Sequence, residues 1–316
     1  MLAIQRVSSK WAKTAVLQRS RIVNEYIPVT RKYSRQTLER MTELFESNYI
    51  KPDRGTYGNG VMRVKTTHLY EPVVNSEDST TDAEVPDETN DRNLPDEPEA
   101  GALTSRDTYL TTTYQLQYGT EERSFHSLDE LERALNDRIQ ERDYIIQQGI
   151  SLMKHGDLPF DLRVLTQKNL QHNWETTGIL GRVAAPGKII TNIHGGGRLA
   201  TFEELVLPHL HQDGFKKLRT ELYRLGTHTA VQLQTSFPRL KEIGIDIALD
   251  EEGRPWILEV NTLPGIYAFG LLPYKEAYRK IKRYAIAYGR LPSKKGKSSR
   301  TSPKAQASSA KKRVRR

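Results

Sequence analysis

The sequence predicts an α+β protein, in which strand-forming runs and helical runs are mixed along the chain. Two runs rich in β-branched and aromatic residues, GVMRVKTTHLY and TYLTTTYQLQY, flank a long acidic stretch and are typical of strands. The run SLDELERALNDRI instead has a helical period. A third pattern, IGIDIALDEEGRPWILEVN, alternates on both sides of a short acidic tip, as a β-hairpin does.

Length and composition set the outer limits of the prediction. A chain of 316 residues fits one large domain or two ordinary ones. Its apolar content of 36% is low for a compact protein, so part of the chain is predicted to be unfolded. The absence of cysteine excludes disulfides and thiolate chemistry.

No run approaches the roughly 18 to 20 apolar residues of a membrane span, and the N-terminus lacks a signal-peptide core. We therefore expect a soluble protein of cytoplasmic origin.

The net charge of +9 conceals two segments of opposite sign. Residues 71–108 carry twelve acids against Arg92 and Arg106, whereas residues 291–316 carry ten lysines or arginines and no acid. Both segments have too few apolar residues to bury a core, so both are predicted to be disordered. The basic tail is either a solubilising extension or a tether for an anionic polymer such as nucleic acid.

A lysine followed by three glycines suggests a phosphate site near the first strands. In YIKPDRGTYGNGVMRVK, Lys51 precedes Gly55, Gly58 and Gly60. Glycines allow backbone N–H groups to approach a ligand closely, and a lysine adds a mobile positive charge, so the pair suits a polyphosphate. An ordinary glycine-rich hairpin explains this stretch alone equally well.

The elements after the acidic segment follow in order. Ser127 and Glu130 have capping-box spacing, and the helix that they open has one apolar face, formed by Leu128, Leu131, Leu135 and Ile139. The runs DYIIQQGISL, FDLRVLTQKN, WETTGILGRVAAPG and KIITNIHGGGR are predicted strands. Thr201 and Glu204 open a second helical stretch, which Pro208 must bend or break.

The hairpin from Ile243 to Gly265 is the most informative part of the chain. If Asp250 pairs with Gly253, one face is apolar and consists of Ile245, Ile247, Leu249, Trp256, Leu258 and Val260. The other face carries Asp246, diagonal to Glu259, with Asn261 beyond it. Two carboxylates and an amide oxygen suit a hard cation such as Mg²⁺. The alternative is a solvated polar face.

Taken together, the motifs KPDRGTYGNGV and GIDIALDEEGRPWILEVNTLPG resemble those of the ATP-grasp superfamily. The runs YIPVTRKYS and PFDLRVLTQKN…TGILGRVAAPGKIITNIHGGGR resemble one branch of it, the YheC/YheD endospore coat-associated proteins. The resemblance covers residues from about 6 to about 290 and leaves the acidic insert out. It implies an ATP-grasp domain over 1–290, followed by the disordered tail 291–316. Within that domain, two α+β subdomains, about 31–150 and about 151–290, grip ATP between them.

The resemblance also implies a role for individual residues. Lys51 and Lys10 match the lysines that reach the ATP phosphates, although Lys13 is an alternative to Lys10, and Ser9 stands where relatives have an acid. Cofactor binding is further implied for the covering loop and the hinge that reads adenine, namely Gly55, Thr56, Gly58, Gly60, Gln148, Gly149 and Ile150. Asp246, Glu259 and Asn261 match ligands of Mg²⁺, as two ions, with Mn²⁺ as an alternative.

Catalytic and substrate residues follow in the same way. Arg163 and Arg182 resemble arginines that hold the γ-phosphate or an acyl phosphate. Gly244 stands where some relatives have an arginine, so an arginine from the DLR strand must compensate. Asn192, Gly196 and Arg198 would border the acceptor site.

The reaction implied is the ATP-dependent ligation of a carboxylate to an amine, or to a thiol, through an acyl phosphate. Neither substrate is identified by the sequence. Similar ligases carry a further substrate domain before the first lysine, which is expected to be absent here or supplied by a partner. One alternative is a non-catalytic, nucleotide-binding protein of the spore coat, and another is an anion-binding scaffold. Spore-coat proteins or an anionic polymer are the partners expected for the basic tail.

Overall fold

The computed structural model describes residues 3–55, 58–72, 108–187 and 196–293, and it contains two antiparallel sheets flanked by helices. The predicted α+β class is confirmed. Strand KIITNIHGGGR lies largely outside the described residues. Across the described ranges, no helix has both the length and the apolar content that crossing a bilayer requires.

The first sheet has six strands in the order β1-β6-β2-β3-β4-β5. Its strands are β1 (Thr30–Lys32), β2 (Ser47–Pro52), β3 (Met62–Pro72), β4 (Thr108–Tyr118), β5 (Glu121–Phe125) and β6 (Tyr144–Gln148). Two helices cover one face, α3 (Arg35–Leu44) and α4 (Leu128–Ile139), and each begins at a serine whose side chain accepts a backbone hydrogen bond. Leu131, Leu135 and Ile139 of α4 are buried against the sheet, as predicted.

The second sheet has the order β10-β9-β8-β11-β12, and β7 pairs with β8. Its strands are β7 (Lys154–His155), β8 (Leu158–Lys168), β9 (Trp174–Val183), β10 (Arg198–Ala200), β11 (Glu242–Leu249) and β12 (Pro255–Asn261). Helices cover both faces. The N-terminal helices α1 (Lys10–Leu17) and α2 (Arg21–Asn24) pack with α5 (Phe202–Gln234) on one face, and α6 (Lys275–Ala287) packs on the other.

Helix α5 bends as the proline predicts. Thr201 caps it by accepting a hydrogen bond from the Glu204 N–H, and Pro208 lies inside it. The backbone leaves the helical region at His211, with φ of 50°, so the bend follows the proline by three residues. The helix resumes and runs to Gln234.

The pairing of the hairpin β11–β12 differs from the prediction in two ways. The turn is longer by one residue, because the Gly253 N–H bonds to Asp250 O and the Asp250 N–H bonds to Arg254 O. A β-bulge then lies between Asp246 and Ile247, and it places Asp246 directly opposite Glu259.

The apolar face of the hairpin therefore has other members than predicted. Ile257, not Leu258, lies opposite Ile247 and is buried. Leu258 is half-buried, and so is Trp256, whose indole N–H donates to Asp250 Oδ2. The predicted inward orientation of Leu258 and Trp256 was wrong, because the sequence showed neither the longer turn nor the bulge.

The limits of the two charged segments also shift slightly. Glu71 and Pro72 pair with Tyr109 and Thr108, so both ends of the predicted insert 71–108 belong to the β3–β4 ladder. Leu291 bonds to Ala285 O and packs on α6, so the fold extends past the predicted boundary at 290. Residues 73–107 and 294–316, where disorder was predicted, lie outside the described residues. The predicted subdomain boundaries stay a prediction.

Candidate functional site

The candidate site is a cleft of about 490 Å³ between the two sheets. Eleven of the residues that the sequence singled out line it, namely Lys10, Lys51, Gly55, Gly58, Gln148, Ile150, Arg163, Arg182, Asp246, Glu259 and Asn261. The first sheet contributes Lys51 and the glycine loop, helix α1 contributes Lys10, and the second sheet contributes carboxylates and arginines. Cations and oxygen ligands from distant parts of the chain therefore meet in one cleft.

Lys51 and Lys10 supply the positive charge on one side. The Lys51 Nζ donates to Gln147 Oε1 at 2.5 Å, and Gln147 is in turn held by Thr30. Burial lowers the pKa of Lys51 to about 8, although the Glu259 carboxylate acts against that shift. The Lys10 Nζ donates to Gly55 O at 3.1 Å and lies 3.6 Å from Glu259 Oε1. Lys10 thus joins the glycine loop to the hairpin.

Lys13, the alternative to Lys10, does not line this cleft. It is buried, and its Nζ donates to Val7 O at 3.1 Å. Lys10 is therefore the lysine of this helix that is available to a ligand.

An aspartate that the sequence analysis missed holds α1 in place. Asp53 Oδ1 accepts hydrogen bonds from the Trp11 N–H at 2.7 Å and from the Ser9 hydroxyl at 3.0 Å. It thereby satisfies an N–H group at the start of a helix. The acid that Ser9 does not provide comes from Asp53, two residues after Lys51. The KPD order within the loop was the signal that could have shown it.

The carboxylate of Asp246 contacts two arginines on neighbouring strands. Asp246 Oδ1 lies 2.5 Å from Arg163 Nε, and Oδ2 lies 3.1 Å from Arg182 Nη2. Burial would raise the pKa of Asp246, but the two guanidinium groups outweigh it and lower the pKa. The arginine absent at Gly244 is thus matched by Arg163, which pairs with Asp246 across β8 and β11.

The oxygens of Asp246, Glu259 and Asn261 face the cleft together and have the chemistry that Mg²⁺ prefers. Asp246 and Glu259 are cross-strand partners, and the Asn261 amide lies 3.5 Å from Asp246. Two carboxylates and one amide fit an ion that takes its other ligands from phosphates or water. Across the described ranges, no group of three His, Cys, Asp or Glu could hold a metal.

The cleft lining also includes apolar side chains. Among them are Ile150, Leu152 and Leu258, which offer apolar surface on which a flat base could pack. The Gln148 and Gly149 N–H groups donate to Val29 O and Ser47 O. These two N–H groups are engaged within the protein, and the role of the hinge in reading adenine stays a prediction. Gln148 still lines the cleft.

Four predicted residues lie away from the cleft lining. Gly60 has φ of 78°, and a Cβ there would lie 2.9 Å from Pro52 Cγ, so it serves the backbone turn. Gly149 packs on Ser47, where a Cβ would lie 2.6 Å from its Oγ. Neither Gly196 nor Arg198 lines the cleft, and Arg198 forms an exposed ion pair with Glu204. Thr56 and Asn192 lie outside the described residues.

Two further charged residues of the cleft were not predicted. Asp161 accepts two hydrogen bonds from Arg182, and its position two residues before Arg163 on β8 could have indicated it. Arg290 follows α6, bonds to Glu242 and donates to Pro264 O at 2.7 Å. No local pattern in the sequence connects Arg290 with the hairpin.

The chain is similar to several known proteins. The endospore coat-associated proteins YheD and YheC of Bacillus subtilis (strain 168) are 25% and 22% identical over 285 and 259 residues. These matches cover 88% and 81% of this chain but 53% and 60% of the relatives, so the chain spans little more than half of their length. Among solved structures, the D-alanine-D-alanine ligase from Coxiella burnetii aligns with 88% of this chain and 57% of its own, at 9% identity and a TM-score of 0.45.

A family model decides the assignment. The model described as YheC/D like ATP-grasp matches residues 2–94 and 101–291, which is most of the chain. The chain therefore belongs to the YheC/D-like ATP-grasp family.

Proposed function

We propose that this chain binds Mg-ATP in the cleft and uses it to ligate a carboxylate to an amine or thiol. The observation that carries the proposal is that Lys51 and Lys10 face Asp246, Glu259 and Asn261 across the same cleft. A phosphate chain needs cations on one side and a metal-binding oxygen set on the other, and both are present. The family to which the chain belongs supports ATP as the nucleotide.

Each residue then has a part in the reaction. Lys51 and Lys10 bind phosphate oxygens, while Ile150 and Leu258 contact the base. Asp246, Glu259 and Asn261 would hold the divalent ion, which supplies neutralisation of phosphate charge when it is bound. Arg163 and Arg182 stabilise the charge that develops as the substrate carboxylate attacks the γ-phosphorus and ADP leaves. An amine then attacks the acyl phosphate and expels inorganic phosphate.

A second candidate is a non-catalytic, nucleotide-binding protein associated with the spore coat. The observation that favours it is that the relatives YheD and YheC are named endospore coat-associated proteins. In that case Mg-ATP would bind and remain intact. The basic sequence of residues 294–316 would then contact coat proteins or an anionic polymer.

A thermal-shift titration tests the binding step. We expect millimolar ATP with Mg²⁺ to raise the melting temperature, because a ligand that binds only the native state stabilises it by mass action. A screen for ADP release over amino acids and peptides then separates the two candidates. Absence of any shift would contradict nucleotide binding, and a shift without ADP release from any acceptor would favour the coat protein.

The lowered pKa of Lys51 predicts that phosphate binding depends on pH. In the free protein the amine is charged below pH about 8 and becomes neutral above it. Since phosphate oxygens bind the charged form, ATP affinity should fall about tenfold between pH 7 and pH 9. Lys51→Arg stays charged over this range, so affinity measured by calorimetry should change little for the variant. An equal fall in both proteins would assign the dependence to another group.

A further inference from the structure

The two arginines on Asp246 are held differently. Arg182 has a second carboxylate partner, because its Nε and Nη2 donate to Asp161 at 2.7 and 2.5 Å. Among the described residues, Asp246 is the one carboxylate within ion-pair distance of Arg163. Arg182 is therefore held by two carboxylates, those of Asp161 and Asp246, whereas Arg163 is held by Asp246 alone among the described residues.

Burial reinforces this difference. The Asp161 side chain is 4% exposed, and the Arg182 side chain is 10% exposed. Although burial alone would lower the pKa of Arg182, the carboxylates of Asp161 and Asp246 raise it. A buried bidentate pair of this kind is costly to separate, because either partner alone would be an uncompensated charge.

The side chain of Arg163 passes close to Gly244 on the neighbouring strand. A Cβ at Gly244 would lie 3.1 Å from Arg163 Cδ and 2.6 Å from Pro264 Cβ, so a larger residue there would crowd both. Arg163 and Asp246 are direct cross-strand partners on β8 and β11. Arg163 also lines the cleft, where a ligand could reach its guanidinium group.

In this arrangement both oxygens of Asp246 are engaged. Oδ1 accepts from Arg163, and Oδ2 accepts from Arg182 and from the Asn261 amide at 3.5 Å. A divalent ion on Oδ1 would lie within a few ångströms of the Arg163 guanidinium and be repelled by it. Metal and Arg163 therefore compete for the same oxygen.

From these contacts we infer that Asp246 exchanges Arg163 for the metal when the nucleotide binds, while Asp161 keeps Arg182 in place. This inference rests on the proposed function. Arg163 can then bind the γ-phosphate of the nucleotide, while Arg182 keeps its position on Asp161. Asp161 is a positioning residue, since it acts through Arg182.

The exchange predicts that removing Arg163 strengthens metal binding without nucleotide. Mn²⁺ is titrated into the folded protein and the free ion is measured by electron paramagnetic resonance. Arg163→Gln should bind Mn²⁺ at least about tenfold more tightly than the wild type, because Oδ1 loses its competitor. The control is Arg254→Gln, which makes the same change of residue and charge on the same hairpin at an exposed side chain that does not line the cleft. It should change the affinity by less than about threefold, because exposed charges are screened by solvent and salt.

Asp161→Asn should shift the affinity in the opposite direction. Arg182 would then have Asp246 as its remaining carboxylate and hold it more tightly, so Mn²⁺ binding should weaken by about threefold or more. If Asp161 had only a structural role, Mn²⁺ affinity in the folded fraction would be unchanged. Melting curves of each variant identify that fraction.

Two outcomes overturn the inference. One is equal tightening in Arg163→Gln and Arg254→Gln, which would reflect net charge alone, and the other is no tightening in either variant. Failure of the proposed function would be seen separately, because Mg-ATP would then not raise the melting temperature of the wild-type protein. If the wild type is stabilised but Arg163→Gln binds Mn²⁺ as weakly as before, the exchange is wrong and nucleotide binding stands.

Discussion

Glu259→Gln should abolish the Mg²⁺-dependent stabilisation by ATP and any ATP turnover, while the unliganded protein melts at its normal temperature. Glu259 lies on β12 directly opposite Asp246 and faces the cleft, half-buried. The amide keeps the shape of the side chain but is a poorer Mg²⁺ ligand than a carboxylate. One charge is also lost beside Lys10, 3.6 Å away. We expect turnover to fall by at least about a hundredfold, as when a preorganised electrostatic group is removed.

Glu252→Gln is the matched control for this experiment. Glu252 lies in the exposed turn of the same hairpin, so the same change of atoms occurs far from the cleft. Its binding curves and turnover should match those of the wild type. If Glu259→Gln also matched the wild type in Mg-ATP binding and turnover, Glu259 would not be a metal ligand.

Most of the fold could be predicted from local patterns. The helix Leu128–Ile139 had both a capping serine and a leucine face, and those two signals fix its start and its orientation. The disorder of the acidic segment stays a prediction, since residues 73–107 lie outside the described ranges. The pairing of α1 with α5 was not predictable, because it depends on contacts between residues more than 200 positions apart.

Local sequence patterns predicted only some residues of the candidate site. The hairpin placed Asp246 and Glu259 on one face in both the predicted and the observed pairing, because the bulge restores the phase that the longer turn had shifted. Asp53 and Arg290 were missed, since their partners lie on α1 and β11, far from them along the chain. The hinge was predicted by resemblance and stays a prediction, while the Gln148 and Gly149 N–H groups bond to Val29 O and Ser47 O.

Ile257→Gln should unfold the second sheet or destabilise it strongly, whereas Leu258→Gln should be tolerated. Ile257 is 3% exposed and packs in the main core, opposite Ile247. Burying an amide without a partner, together with the loss of core packing, should cost about 3 kcal/mol or more. The free energy of unfolding, measured by urea denaturation, should fall by that amount.

Leu258 gives the opposite result, although it is adjacent in sequence and similar in size. It is half-buried and lines the cleft, so a glutamine can keep its amide in water. We expect Leu258→Gln to change the free energy of unfolding by less than about 1 kcal/mol. It should instead weaken ATP binding, because the base loses an apolar contact. Had the hairpin paired as the sequence predicted, Leu258→Gln would unfold the protein and Ile257→Gln would not. Measurement of both variants therefore tests the bulge directly.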